Sequence, residues 1–259
     1  MDYQLKGKLC YVTAGANGIG AAIANLLTAE GASVIVADRD EKTLTESGGS
    51  WLATFAADLS TPQGVDAAIE FVLEKFQRAP DIVINNLGVA DPVPFEQLTD
   101  DGWVRSMNVN LLGLVRTCRR LLPQMAANGG GAVVNIGSDL GKQPEPDVID
   151  YGLFKVGVLH LTKSLAKAYA PKIRVNAVSP GPVWTGLFSR PGGIADQIGA
   201  QFGLDREGAV NKFLEDRYMP LGFGEPSDVA NAAVFLASPL AKFITGANLD
   251  LGGTLRGLI

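Results

Sequence analysis

Tyr151 is followed four residues later by Lys155, and Ser138 stands thirteen residues ahead of the tyrosine. The stretch Y-G-L-F-K-V-G-V-L-H-L-T-K-S-L-A-K that begins at Tyr151 repeats apolar residues at helical spacing, which sets the phenol and the ammonium at i and i+4 on one helical face. A phenol ordinarily titrates near ~10, too high for a base at neutral pH. A neighbouring ammonium and a cationic ring close by both favour the phenolate. Three such side chains are the reagents for moving a proton on and off a secondary alcohol. The competing reading is structural: an amphipathic helix whose tyrosine caps a core and whose lysine is solvated.

The elements that must position these groups alternate along the chain. Strands are expected at 8–14, 33–38, 51–58, 81–86, 131–138 and 173–179, and helices at 18–30, 62–78, 102–127 and 150–169. Continuous Val/Ile/Ala-rich strands between helices describe a buried parallel sheet covered on both faces, an α/β doubly wound Rossmann fold of about seven strands. Ligands of such a fold bind beyond the carboxyl ends of the strands, where the strand order reverses.

At the first strand-to-helix junction lies T-A-G-A-N-G-I-G, from Thr13 to Gly20. Glycines there let the backbone turn tightly and approach a pyrophosphate, which the positive end of the next helix attracts. Gly15, Asn17, Gly18, Ile19 and Gly20 are thus the expected phosphate cradle. Asp38 ends the second strand, placed to accept hydrogen bonds from an adenosine ribose and to repel a 2'-phosphate, which favours NAD over NADP. Arg39 beside it is the group that would instead welcome the phosphate.

At 259 residues and 47% hydrophobic content, the chain can bury a large core, and no linker divides it, so residues 1–259 are read as one dinucleotide-binding and catalytic domain. A formal net charge of -5 argues against a nucleic-acid surface, and Arg116, Arg119 and Arg120 read as a solvated helix face. Cys10 and Cys118 have no local partner and fit free thiols in a reducing compartment, while a single histidine, His160, argues against a metal site. The start M-D-Y-Q-L-K-G-K lacks the apolar core of a signal peptide, and no apolar run approaches membrane-spanning length. A cytoplasmic protein with no membrane contact is the expectation.

Together these motifs closely resemble the short-chain dehydrogenase/reductase family over nearly the whole chain. N-N-L-G at 85–88 is similar to the family's N-N-A-G, V-N-L-L-G puts Asn110 at its active-site asparagine, and Ser138, Tyr151 and Lys155 match the rest of its tetrad. S-P-G-P-V-W-T at 179–185 is similar to the loop on the nicotinamide side, and F-I-T-G-A-N-L-D-L-G-G resembles the family's ending. Departures are mild: Ala14 stands at the first glycine of the usual T-G-x-x-x-G-x-G, Leu87 replaces alanine, Gly137 replaces a serine, and Leu251 takes the place of an aspartate. The resemblance implies interconversion of a secondary alcohol and a ketone. In it Tyr151 carries the proton, Ser138 holds the carbonyl oxygen, Lys155 lowers the tyrosine pKa and binds ribose, and Asn110 anchors a water. It also brings Asp58 and Leu59 to the adenine, and Asn86, Gly88, Pro180, Gly181, Val183 and Thr185 to the cofactor. The rival readings are an NADPH-dependent reductase of 3-oxoacyl chains on a carrier protein and a non-catalytic dinucleotide sensor or scaffold.

The segment 185–220 mixes apolar and charged residues at the spacing of short amphipathic helices and is the expected substrate lid. Trp184, Leu187 and Phe188, with Leu140 and Val148, are expected to wall an apolar pocket for a mainly apolar, uncharged, cyclic or medium-chain alcohol or ketone. The long helices at 102–127 and 150–169 are apolar over more than one stripe, and the tail L-R-G-L-I is apolar for a chain end, so a homotetramer is expected.

Overall fold

The computed structural model describes residues 2–46 and 51–252, apart from the side chain of Leu187. Seven parallel strands form one sheet: β1 (Leu9–Thr13), β2 (Ser33–Asp38), β3 (Ala53–Ala56), β4 (Ile82–Asn85), β5 (Gly131–Ile136), β6 (Ile173–Pro180) and β7 (Asn248–Leu251), in the spatial order 3-2-1-4-5-6-7. Alternate residues of β1 serve opposite faces. Cys10 and Val12 pack under α1 (Gly18–Ala29) and α10 (Pro226–Ala237) with Ile23, Leu27, Val229 and Val234. Leu9 and Tyr11 face α3 (Pro62–Phe76), α5 (Gly113–Ala127) and α6 (Ile149–Tyr169) through Val65, Ile69, Leu121, Met125 and Val158. Both faces are covered, which is why the strands read as unbroken apolar runs.

Strand order reverses between β1 and β4, and side chains pin the loops leaving those strands. Thr13 Oγ1 accepts from Asn86 N at 2.9 Å, and Asn86 Nδ2 donates to Ala14 O at 2.8 Å. Farther along the sheet, Asn85 Nδ2 donates to Asn135 Oδ1 at 2.8 Å and Asn135 Nδ2 to Thr162 Oγ1 at 2.9 Å. This buried polar run fixes α6 against β4 and β5, and α6 carries both Tyr151 and Lys155.

Several elements differ from expectation. The helix expected at 102–127 is two helices, α4 (Asp100–Met107) and α5, joined by a π-helical turn at Asn108–Leu112. One extra residue in a helical turn leaves the apolar period nearly intact, so periodicity alone does not reveal it. Helix α2 (Glu41–Glu46), α10 and β7 are additions to the expected elements. The segment 185–220 forms α7 (Gly186–Ser189), α8 (Ile194–Phe202) and α9 (Arg206–Asp216), short helices as its pattern suggests. The arginine cluster is more than a solvated face: Arg116 donates to Ser60 O at 2.7 Å and Asn108 Oδ1 at 2.6 Å, and Arg120 to Asp66 Oδ1 at 2.7 Å, tying α5 to its neighbours. The apolar tail beyond residue 252 lies outside the described residues.

Candidate active site

A cavity of about 1050 Å³ opens at the carboxyl ends of the strands, across the point of strand reversal. Its cofactor half is made largely of backbone. The loop after β1 enters α1 at Gly18, whose φ of +53° suits glycine, and α1 has no acidic residue in its first turn to compete for its free amides. Asn17, Gly18 and Ile19 line the cavity there. Gly15 and Gly20 do not; they let the loop pack. A Cβ on Gly20 would overlap the Ala14 carbonyl oxygen, and one on Gly15 would lie 2.8 Å from Val36 Cγ1. Ala14, in the place of the usual glycine, itself takes a left-handed conformation with φ +50°.

Asp38 is buried at the end of β2 and faces this half of the cavity beside exposed Arg39. Its Oδ2 accepts from Ala16 N at 3.0 Å and its Oδ1 from Asp40 N at 3.1 Å, so the carboxylate is held by the glycine-rich loop that it faces. Asp58 and Leu59 close the far end; Asp58 accepts from Ser60 Oγ at 2.7 Å, and this bond, aided by Arg39, holds its carboxyl below the usual range. Asn86, Gly88, Pro180, Gly181, Val183 and Thr185 line the floor. Thr185 stands opposite Gly18, its Cγ2 within 3.7 Å of where a Cβ on Gly18 would be. Val183 is bridged to Gly224, which fixes the start of the segment 185–220.

At the junction of the two halves, Lys155 is 2% exposed and donates from Nζ to Ile136 O at 2.9 Å. Burial pulls its ammonium down to about 8. Nζ lies 5.4 Å from the centroid of the Tyr151 ring. The Tyr151 hydroxyl is pushed up to about 12, first by burial; a hydrogen bond with Ser138 opposes this and the carboxyl of Asp139 adds to it. In the ligand-free protein the tyrosine is therefore a neutral phenol at pH 7. Ser138 Oγ donates to Asp139 Oδ1 at 3.0 Å and accepts from Leu140 N at 3.2 Å.

Asn110 sits within the π turn, buried and off the cavity wall. Its Oδ1 accepts from Val89 N at 2.9 Å, and both Nδ2 protons are engaged, donating to Val89 O at 3.0 Å and Ser106 Oγ at 3.1 Å. These bonds brace the loop after β4. That loop brings Gly88 so close that a Cβ on it would lie 3.0 Å from Lys155 Nζ.

In the other half, Leu140, Val148 and Phe188 line the wall as expected. Trp184 does not. Its ring packs against Phe188 at 6.3 Å and Phe223 at 5.1 Å, in an aromatic cluster with Phe213 and Met219 that backs the lid. The side chain of Leu187 lies outside the described residues. The wall is also far more polar than expected, since Asp139, Glu145, Asp147, Arg190, Asp216 and Arg217 share it. Of these Asp139 is the one legible in principle, being next in sequence to Ser138. The others come from segments whose folding the amphipathic pattern does not specify.

The residues present fit a nicotinamide dinucleotide: a close-packed glycine turn at a helix start, a fixed carboxylate where a ribose would lie, and at the far end a buried lysine with a tyrosine lining the same cavity. Fold and site together define an oxidoreductase of the dinucleotide-binding class. The comparisons agree. Residues 13–253 match the family described as Enoyl-(Acyl carrier protein) reductase. The uncharacterized oxidoreductase YvrD of Bacillus subtilis is 36% identical, the match covering 100% of both chains. The structure of L-sorbose reductase from Gluconobacter frateurii complexed with NADPH and L-sorbose superposes with a TM-score of 0.92 at 30% identity, covering 100% of both chains. That of 3-ketoacyl-(acyl-carrier-protein) reductase from Brucella melitensis complexed with NADH gives a TM-score of 0.81 at 33% identity, covering 96% of this chain and 98% of the other. The chain belongs to the short-chain dehydrogenase/reductase family and is an NAD(P)-dependent oxidoreductase interconverting alcohols and ketones.

Proposed function

We propose that the chain is one catalytic domain that oxidises a secondary alcohol or reduces the matching ketone, with NAD(H) as the preferred cofactor and 185–220 as its substrate lid. When bound, the nicotinamide supplies the site that accepts or returns a hydride. Tyr151 takes the proton from the substrate hydroxyl in oxidation and gives it to the carbonyl oxygen in reduction, while Ser138 holds that oxygen. Lys155, fixed by Ile136 O, is placed to hold ribose hydroxyls and to favour the phenolate once the cofactor's positive charge joins it. Asn110 keeps the Gly88–Val89 wall in place.

One observation carries the reading: Ser138, Tyr151 and Lys155 line the same cavity whose other end holds a fixed carboxylate, Asp38. Support for NAD is that Asp38 is buried and anchored, so a 2'-phosphate would meet a charge that cannot swing away. Arg39 on the same wall is the observation favouring NADP. The test is reduction of NAD against NADP, followed by nicotinamide absorbance, over a panel of alcohols and in reverse with ketones. A wild-type protein that prefers NADP overturns the NAD assignment.

A homotetramer is part of the proposal. Val104 on α4 and Ile149, Leu153 and Val156 on α6 are exposed apolar residues on the two helical segments expected to meet a partner. Light scattering at micromolar concentration tests it, and a monomer would contradict it. The buried free thiols of Cys10 and Cys118 fit a cytoplasmic site of action. Among the described residues no helix is long and apolar enough to cross a membrane.

A further inference from the structure

Asp139 is a charged group in an unexpected place. It is 8% exposed, it immediately follows Ser138, and it lines the substrate half of the cavity between Leu140 and Ser138. Its Oδ1 is committed, accepting from Ser138 Oγ at 3.0 Å and from Leu140 N at 2.9 Å. Oδ2 is the oxygen left to meet a ligand. Apolar neighbours on the same wall, Leu140, Val148 and Phe188, mean that an entering substrate strips water from this carboxyl. A hydrocarbon substrate would leave it unsatisfied, which is costly for a buried acceptor and more so for a charged one.

From this geometry we infer that Asp139 selects polyhydroxylated substrates, by accepting a hydrogen bond from a hydroxyl on the carbon next to the one that Ser138 and Tyr151 act upon. The inference rests on the oxidoreductase reading above and names its substrate class. Adjacency follows from the short separation: Ser138 Oγ lies 3.0 Å from Asp139 Oδ1. When Ser138 turns its one proton from that oxygen to the reacting oxygen, Oδ1 keeps Leu140 N and Oδ2 lies within one carboxyl group of the reacting centre. The ligand group is a neutral donor. Anions are opposed by Asp139 itself. A cation is not required, because the guanidinium of Arg217, held 4.1 Å over the Phe213 ring, already acts on this carboxyl. Burial raises the Asp139 carboxyl while Ser138, Leu140 N and Arg217 pull it the other way, and a donated hydroxyl suits it in this environment. The apolar substrate expected from Leu140, Val148 and Phe188 alone is thereby replaced by one with an apolar edge and a vicinal hydroxyl.

The experiment uses matched pairs with the intact protein and its better cofactor: vicinal cyclohexanediol against cyclohexanol, acetoin against butanone, and a four-carbon polyol against a four-carbon secondary alcohol. Wild type is expected to favour the hydroxylated member of each pair by about tenfold or more in kcat/KM. Asp139→Asn keeps an amide oxygen for Ser138 and Leu140 N but replaces the second acceptor by a donor, so the preference ratio should fall toward one, mainly through KM. Asp139→Ala should do the same if the asparagine variant does not fold. A wild type that handles the monohydroxy member as well as the diol overturns the inference. So does an unchanged ratio when Asp139→Asn slows both members equally, or an amino alcohol that outperforms the diol. If no alcohol or ketone reacts with NAD or NADP, the oxidoreductase reading fails first, and a retained ratio cannot then be claimed.

Discussion

The two halves of the cavity are built by different means. Around the cofactor half, three candidate groups are tied to a strand end or the loop leaving it: Asp38 to Ala16 N, Asn86 to Thr13 and Ala14, and Lys155 to Ile136 O. These ties cross between segments far apart in sequence and rest on the central strands β1, β2, β4 and β5, which are almost wholly buried. The substrate half leans on a small separate cluster, in which only Phe188, Phe213 and Met219 are fully buried, with Trp184 and Phe223 packed against them. A group wired to a sheet keeps its angle while ligands come and go. A lid with a small core can open at low cost. In the proposed reading, the reacting groups are held from the first half and its junction with the second, and choice of substrate lies with the second.

The largest effects should come from the junction. Tyr151→Phe removes the proton carrier and leaves the ring, so turnover should fall by roughly 10²-fold or more with fold and dinucleotide affinity intact. Circular dichroism and a fluorescence titration with cofactor check the second half of that statement. Lys155→Met should differ, weakening cofactor binding as well as turnover; equal affinity in that variant would remove its ribose role.

The pH dependence has a definite sign. Oxidation needs the Tyr151 proton gone, and in the free protein its pKa stands near about 12, above the ordinary value. Its kcat/KM should rise with pH through the neutral and alkaline range. Reduction needs the phenol protonated and should stay flat until the alkaline limb, where it falls. Profiles of the two directions on one substrate pair that rise together would contradict the role of the tyrosine.

Lid and sheet can be separated by Phe213→Ala. The ring packs 5.1 Å from Phe188 and 5.4 Å from Phe223, so its loss should loosen α9 and raise KM for substrate several-fold. Cofactor affinity should hardly change, because no residue of this cluster braces the glycine-rich loop. If cofactor affinity falls as much as substrate affinity, the two halves are one cooperative unit and the contrast is wrong.

How much of this was legible in the sequence follows the same division. The glycine turn, Asp38, Ser138, Tyr151 and Lys155 each depend on chemistry that few residue types supply, at spacings set by a strand or a helical turn. Residue type and spacing alone expose them. Trp184 and Asp139 were misjudged or missed because a loop fixes them. Whether an aromatic residue faces ligand or its own core depends on how Phe213 and Phe223 arrive, from residues distant in the chain. The bracing bonds of Asn110 to Val89 are not legible, since they depend on the π turn, which apolar period does not show. The departures Ala14 and Gly137 were seen as changes of type, but their cost is visible only in space. A Cβ at Gly137 would lie 2.8 Å from Ser179 Oγ, so the usual serine would not fit without movement.

Ala14 gives the smallest effect and the finest test of the braced half. Its φ of +50° puts a Cβ in the left-handed region, which costs an L-residue roughly 1–2 kcal/mol. Ala14→Gly removes that strain but adds freedom to the unfolded chain, an opposing term of about 0.5–1 kcal/mol. The net gain should lie between nothing and about 1.5 kcal/mol, a rise in Tm of at most about 3–6 °C for a chain of this size. The loop's position should not change, because the carbonyl of Ala14 is held by Asn86 Nδ2 at 2.8 Å regardless of the side chain. Cofactor affinity should then stay within about twofold of wild type. Gly15→Ala is the control on the same loop: its new methyl would press on Val36 Cγ1 and Val12 Cγ1, so Tm should fall. A large gain in cofactor affinity for Ala14→Gly, with Tm unmoved, would mean that the loop is strained for binding and not for folding. That outcome would put adjustable structure in the half taken here as fixed.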